Sequence, residues 1–228
     1  MSENQKPSIY NALTDGGNAR LLAETLKHYK VDAATIFKQA DIPIPDETTE
    51  RVSSIALQKV WRLAVEVTGD DAFGLTFPSL VHPAAFNGLG FAWLASNTLR
   101  DSLERLVRYH RLIASHGDIV LEEHKNEIRL WYKIPAGGQP AASTLDGAPG
   151  VFVRLCQMTK SDDFSPSRVE FRHDTPKNLQ AFDNFFKCPV KFNQEENIIC
   201  FDTESLSEPL PMANPELARM SDNIRALF

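Results

Sequence analysis

"DIVLEEHKNEIRLWYKI", residues 118–134, is where the chain changes its period. Before it, apolar residues recur every third or fourth position. Within it they alternate: Ile128, Leu130 and Tyr132 fall on one face, and Arg129, Trp131 and Lys133 on the other. That alternation predicts half-buried strands, with Lys125-Asn126 at the turn of a hairpin. A sheet therefore begins where a helical half ends.

Upstream, Asn18 is expected to cap a helix running to about Tyr29, and Asp32 to cap a second, shorter one. The stretch "DIPIPDETTERVS", residues 41–53, reads as a proline-rich connector. Ser54 to Thr68 carries Leu57, Val60, Trp61, Ala64 and Val65 on one helical stripe, and Gly69 closes it. A short helix is expected over 71–80. Thr98 and Asp101 mark the start of another, which runs to about Ala114 with Leu99, Leu103, Leu106, Val107, His110 and Ile113 on its apolar side.

Downstream, a helix is expected within 141–160, its first half disturbed by Gly147, Pro149 and Gly150. Residues 167–173 read as a strand. Thr175 and Pro176 open a helix, strands follow at 190–193 and 197–202, and Pro215 to Phe228 forms a last helix. The class is α+β: a helical N-terminal half packed with a mainly antiparallel sheet and further helices. We expect residues 1–17 to be a flexible leader, 18–212 one domain, and 213–228 the start of a linker.

The chain has 228 residues, is 43% hydrophobic and 24% charged, and has 24 basic against 30 acidic side chains, net charge -6. An acidic total repels phosphate backbones, which argues against nucleic-acid binding by this segment. Three cysteines form no CxxC pair and read as reduced thiols. The N-terminus lacks a secretory signal, and no apolar run approaches the roughly 18 residues of a membrane span. A cytoplasmic protein without membrane contact is expected.

No motif carries chemistry. Gly88 and Gly90 resemble part of a dinucleotide loop, but Trp93 occupies the third glycine's place and no strand precedes them. They read instead as a close approach between two helices. The six histidines make no metal-ligand spacing. His110 reads as a satisfied core histidine and His173 as a turn residue. No GxSxG elbow is present, and Cys156 lies in an apolar context. Glu122-Glu123 and Asp162-Asp163 read as solvated surface, as do Arg105, Arg108 and Arg111. No metal or cofactor is expected. What remains is a surplus of aromatics: Phe86, Phe91, Trp93, Tyr109, Trp131 and Phe152. Of these, Phe91, Trp93, Tyr109 and Trp131 are the candidate lining of a small-molecule pocket.

Three stretches, "VTGDDAFGLTFPSL", "FNGLGFAWLASNTLRDSLERLVRYHRL" and the run from "RVEFRHDTP" through "CPVKFNQEENIICFD" to "LPMANPEL", occur in this order. Together they resemble the N-terminal effector-binding, arabinose-binding-like domain of AraC-family transcriptional regulators, over about residues 18–225. The resemblance implies a non-enzymatic sensor that binds a small-molecule effector and can form a homodimer. It would act on DNA only through a C-terminal helix-turn-helix domain that this sequence lacks. We expect a truncated form of a longer chain, a naturally short product being the alternative. Amino acids, fatty acids and aromatic acids are all compatible effectors. Two rivals stay open: a hydrolase-type enzyme using Cys156 or a histidine, and a ligand-free dimerisation module.

Overall fold

The computed structural model describes residues 13–46, 50–83, 87–113, 118–134 and 138–224. Leu13–Asp15 (β1) leads into Gly16–His28 (α1) and Ala33–Gln39 (α2), and Arg51–Ser53 (β2) returns to pair antiparallel with β1. This two-stranded ribbon falls in segments expected to be leader and connector. Three residues are too few to display a period, and the pairing partner is distant in sequence. The first helix consequently starts before Asn18. Asp15 is its cap, accepting the Gly17 N–H at 2.7 Å. Asn18 reaches back to Thr14 Oγ1 at 3.0 Å.

Ser54–Thr68 (α3) has the expected bounds and the expected stripe, with Leu57, Val60, Trp61 and Ala64 buried. Ser53 caps its start, and Gly69 closes it at φ 66°. Phe73–Ser79 (α4) follows, then Asn87–Leu94 (α5) and Leu99–Ile113 (α6). Thr98 caps α6 as predicted, its hydroxyl accepting the Asp101 N–H at 3.1 Å.

The hairpin forms as read, with Asp118–His124 (β3) and Glu127–Lys133 (β4) turning at Lys125-Asn126. Next comes Ala142–Thr159 (α7), a helix unbroken by Gly147, Pro149 and Gly150. Its glycines serve contact with α4. A Cβ on Gly74 would stand 2.2 Å from the Ser143 carbonyl oxygen, and one on Gly150 2.5 Å from Pro78 Cγ. The tertiary crossing thus outweighs the helix-breaking preferences of the sequence.

Arg168–Glu170 (β5), Leu179–Phe186 (α8), Val190–Lys191 (β6) and Ile198–Asp202 (β7) complete the sheet, in the order β3-β4-β7-β5-β6. All its pairings are antiparallel except β5 with β6. Helix α8 starts later than Thr175. Asp71 accepts the backbone N–H groups of Lys177 and Asn178, holding that stretch against the loop before α4. Asn178 then caps the helix, accepting from Ala181 N at 3.3 Å. Thr203–Ser207 (α9) and Pro215–Ile224 (α10) close the described chain, and the last four residues of the expected final helix lie outside it. Among the described residues no helix is long and apolar enough to cross a membrane.

One buried cluster runs from Leu22 and Phe73 in the helical half through Trp93 and Leu103 to Ile128, Phe171 and Phe201 in the sheet. Helix α10 packs on α5, with Ala218 buried in the contact. The chain leading to α10 is tied to the end of α5 by Leu210 N to Asn97 O at 2.8 Å and Asn214 N to Ala95 O at 2.9 Å.

His173 stands in the bend after β5, as expected, but its side chain is engaged. Its Nε2 lies 2.8 Å from Oδ1 of Asp146, which is 1% exposed, although the approach is too oblique for a straight hydrogen bond. Burial pushes the Asp146 carboxyl up to about 6, against the opposing pull of His173. Burial alone would lower His173, but Asp146 outweighs it and the imidazole is raised. Both shifts have the same sign in linkage: the folded pair holds protons that the unfolded chain has already released. The contribution of Asp146 is complete below the ordinary carboxylate range and is lost as pH rises through about 6. That of His173 is complete below the ordinary imidazole value and is lost as pH rises through its raised one. Unfolding free energy is therefore expected to fall as pH climbs from mild acid past neutrality. Asp146→Asn should flatten that slope. Denaturant titrations at several pH values check this, and an unchanged slope in Asp146→Asn would place the dependence elsewhere.

Candidate ligand-binding cavity

A cavity of about 150 Å³ lies among α3, α4, α5, α6, α7 and the β3–β4 hairpin. Helix α7 supplies one wall through Gly147, Ala148, Val151 and Leu155, residues at three and four residue spacing. Helix α5 contributes Leu89, Gly90 and Trp93, and α6 contributes Leu106 and His110. The hairpin adds Ile119 and Tyr132, which face each other across the ladder. Leu57 and Trp61 of α3 and Phe77 of α4 close the far side.

Few polar groups reach this space, and most are already engaged with the protein. Gln58 Oε1 accepts from Ala141 N at 2.8 Å and from Thr144 Oγ1 at 2.9 Å. Asn18 donates to Thr14. No Asp, Glu, Lys or Arg belongs to the wall among the described residues.

Trp93 is 1% exposed, and its Nε1 donates to Thr159 Oγ1 at 2.9 Å, so the indole edge is fixed while its body faces the cavity. Tyr132 stays a neutral phenol, because burial pushes it up to about 12. Among the described residues its hydroxyl has no hydrogen-bond partner.

His110 is only half satisfied. Nδ1 lies 2.8 Å from the Val107 carbonyl oxygen, which can only accept, so the hydrogen-bond network assigns the ring hydrogen to Nδ1. Nε2 is then an acceptor. It is buried, and among the described residues nothing donates to it.

Of the four predicted lining residues, Trp93 stands in the wall, whereas Phe91, Tyr109 and Trp131 do not. Phe91 is 50% exposed. Helix and strand periodicity account for these positions. Phe91 is two residues past Leu89 and so on the far side of α5. Tyr109 sits about a quarter-turn off the α6 stripe that holds Leu106 and His110. Trp131 is on the opposite face of β4 from Tyr132, as strand alternation requires. Phe152, also among the aromatic surplus, does line the cavity, and Phe86 lies outside the described residues.

Gly90 does permit a close approach, but not between two helices. A Cβ there would stand 1.7 Å from the Pro83 carbonyl oxygen, in the segment that enters α5. Arg105 is not a solvated side chain either, since it donates to Ser96 Oγ at 2.7 Å. Cys156 is wholly buried, and desolvation raises its thiol far above the usual range. Burial likewise pushes Cys188 and Cys200 up to about 12, and all three thiols are free. Among the described residues no group of His, Cys, Asp or Glu is placed to hold a metal ion.

A family model described as the N-terminal arabinose-binding domain of AraC transcription regulators matches residues 31–210. The ornithine utilization regulator of Pseudomonas aeruginosa is 23% identical over 211 residues, covering 90% of this chain and 61% of that protein. The crystal structure of the transcriptional regulator CdpR from Pseudomonas aeruginosa superposes with a TM-score of 0.64 at 13% identity, over 90% of this chain and 61% of that one. At that identity the likeness is one of fold. The chain spans about three fifths of the length of each of these two proteins.

Proposed function

The chain belongs to the family of N-terminal arabinose-binding domains of AraC transcription regulators, and from that premise we propose that it senses a small effector in the cavity and relays occupancy through α5 to α10. The observation that carries this reading is the position of α5. Its Leu89 and Trp93 form cavity wall, while the helix also packs on α10 and the residues just after it, Ala95 and Asn97, are hydrogen-bonded to the chain leading there. A molecule that fits one placement of α5 better than another shifts the balance between them by its difference in affinity. In a full-length regulator, α10 would hand that shift to a DNA-binding part, and the whole would work in the cytoplasm, with a homodimer as its expected form.

The chemistry supports a sensor over a hydrolase. The Cys156 thiol stays protonated at neutral pH, and a protonated thiol is a poor nucleophile. An unfilled interior likewise favours a sensor over a solid-cored dimerisation module.

The test is a thermal-shift screen of small metabolites, charged and uncharged, on wild type and on Ala148→Phe, which fills the cavity. A ligand at a hundredfold excess over Kd stabilises by about 2.7 kcal/mol. We expect that shift in wild type and its loss in Ala148→Phe, together with slower amide exchange in α10 when ligand is bound. Stabilisation that survives Ala148→Phe would place binding elsewhere. Unchanged exchange in α10 would remove the relay.

A further inference from the structure

The cavity is largely apolar, yet it holds one buried, unpaired hydrogen-bond acceptor. His110 is 9% exposed, its Nδ1 is occupied by the Val107 carbonyl, and its Nε2 has no donor among the described residues. A buried polar atom without a partner is unfavourable, and a ligand that supplies the partner removes that penalty. Tyr132, whose hydroxyl has no hydrogen-bond partner among the described residues, stands in the same wall. Against these two groups stand what the wall lacks and what its other polar groups already do. Among the described residues it has no charged side chain to pair with a carboxylate or an ammonium group. Gln58 and Thr144 are bonded to each other, as are Asn18 and Thr14.

Building on the sensor reading above, we propose that this cavity takes a compact, uncharged, mostly apolar molecule that donates one hydroxyl or N–H to His110 Nε2, rather than a sugar or a charged amino acid. The size follows from the volume. A cavity of about 150 Å³ lined by apolar side chains is known to accept benzene, so a single substituted ring fits. A sugar would bring several hydroxyls to a mostly apolar wall, leaving most of them unpaired. A diamino acid such as ornithine would bury charges for which the described residues of the wall offer no counter-ion. His110 is thus the specificity residue. It selects for a donor and against an acceptor at its end of the site.

Phenol and toluene share a shape and differ in one donor. Calorimetric or NMR titration of both into wild type and His110→Phe is expected to show phenol weakening about tenfold in the variant, with toluene unchanged. In wild type, the His110 Nε2 nitrogen resonance should move with phenol and stay with toluene. That readout also decides the matter if His110→Phe does not fold. L-arabinose and L-ornithine should give no shift in melting temperature that Ala148→Phe abolishes. Phenol binding equally well to His110→Phe, or leaving the Nε2 resonance in place, would overturn the proposal. So would a cavity-dependent shift from L-arabinose or L-ornithine larger than that from phenol, although the sensor reading would then stand. If no probe or metabolite gives a shift sensitive to Ala148→Phe, both readings fall.

Discussion

Replacing Gly90 by alanine is expected to destabilise the fold by about 3 kcal/mol or more, the upper end of what overpacking produces. The new methyl would lie 1.7 Å from the Pro83 carbonyl oxygen. The obstacle is backbone, so no rotamer change relieves it. Either α5 or the segment entering it must move, and α5 carries Trp93 and grips α10. The comparison is Gly69→Ala. Gly69 has a left-handed φ of 66° but open space around its Cβ position, so only the conformational term, about 1 kcal/mol, applies there. Denaturant midpoints of the two variants separate crowding from backbone strain. Equal stability of Gly90→Ala and wild type would mean that the entry to α5 yields easily and that the contact with Pro83 does not hold it.

Trp93→Ala is expected to cost about 3–5 kcal/mol of folding stability, a large part of the 5–15 kcal/mol typical of a domain. Trp93 is 1% exposed and belongs to the continuous core, so its removal enlarges a space that is already unfilled. Ligand affinity should fall with it, since one wall of the cavity disappears. The two effects separate in Trp93→Phe. That variant keeps an aromatic wall but loses the hydrogen bond to Thr159, at about 1 kcal/mol. Thr159 retains its own bond to the Leu155 carbonyl, so no buried hydroxyl is stranded. Equilibrium unfolding and ligand titration on both variants check the pair. If Trp93→Ala loses less than about 1 kcal/mol, the indole is not part of the core as packed.

The places where sequence reading and structure diverge share a cause. Helix α3 kept its bounds because stripe, cap and closing glycine all agreed locally. The hairpin kept its turn because alternation ran for seven residues in each strand. The start of α8 moved because Asp71, remote in sequence, took the backbone N–H groups that Thr175 was expected to serve. The β1–β2 ribbon was missed because three-residue strands have no readable period and their partner is distant. The turn at His173 has a local signal, but its pairing with Asp146 has none, because Asp146 lies on α7, remote in sequence.

The candidate site follows the same division. Leu106 with His110, the alternation that puts Tyr132 opposite Trp131, and the spacing of Gly147, Val151 and Leu155 can all be read in one dimension, because a side chain's face is set by backbone geometry alone. That these faces turn toward a shared space and leave part of it empty cannot be. It depends on how closely α4 and α7 cross at Gly74 and on how tightly α5 folds back over Pro83. It depends also on whether any neighbouring group reaches His110 Nε2. Those are distances between segments far apart along the chain. Packing of the whole core sets them, and no local pattern encodes them.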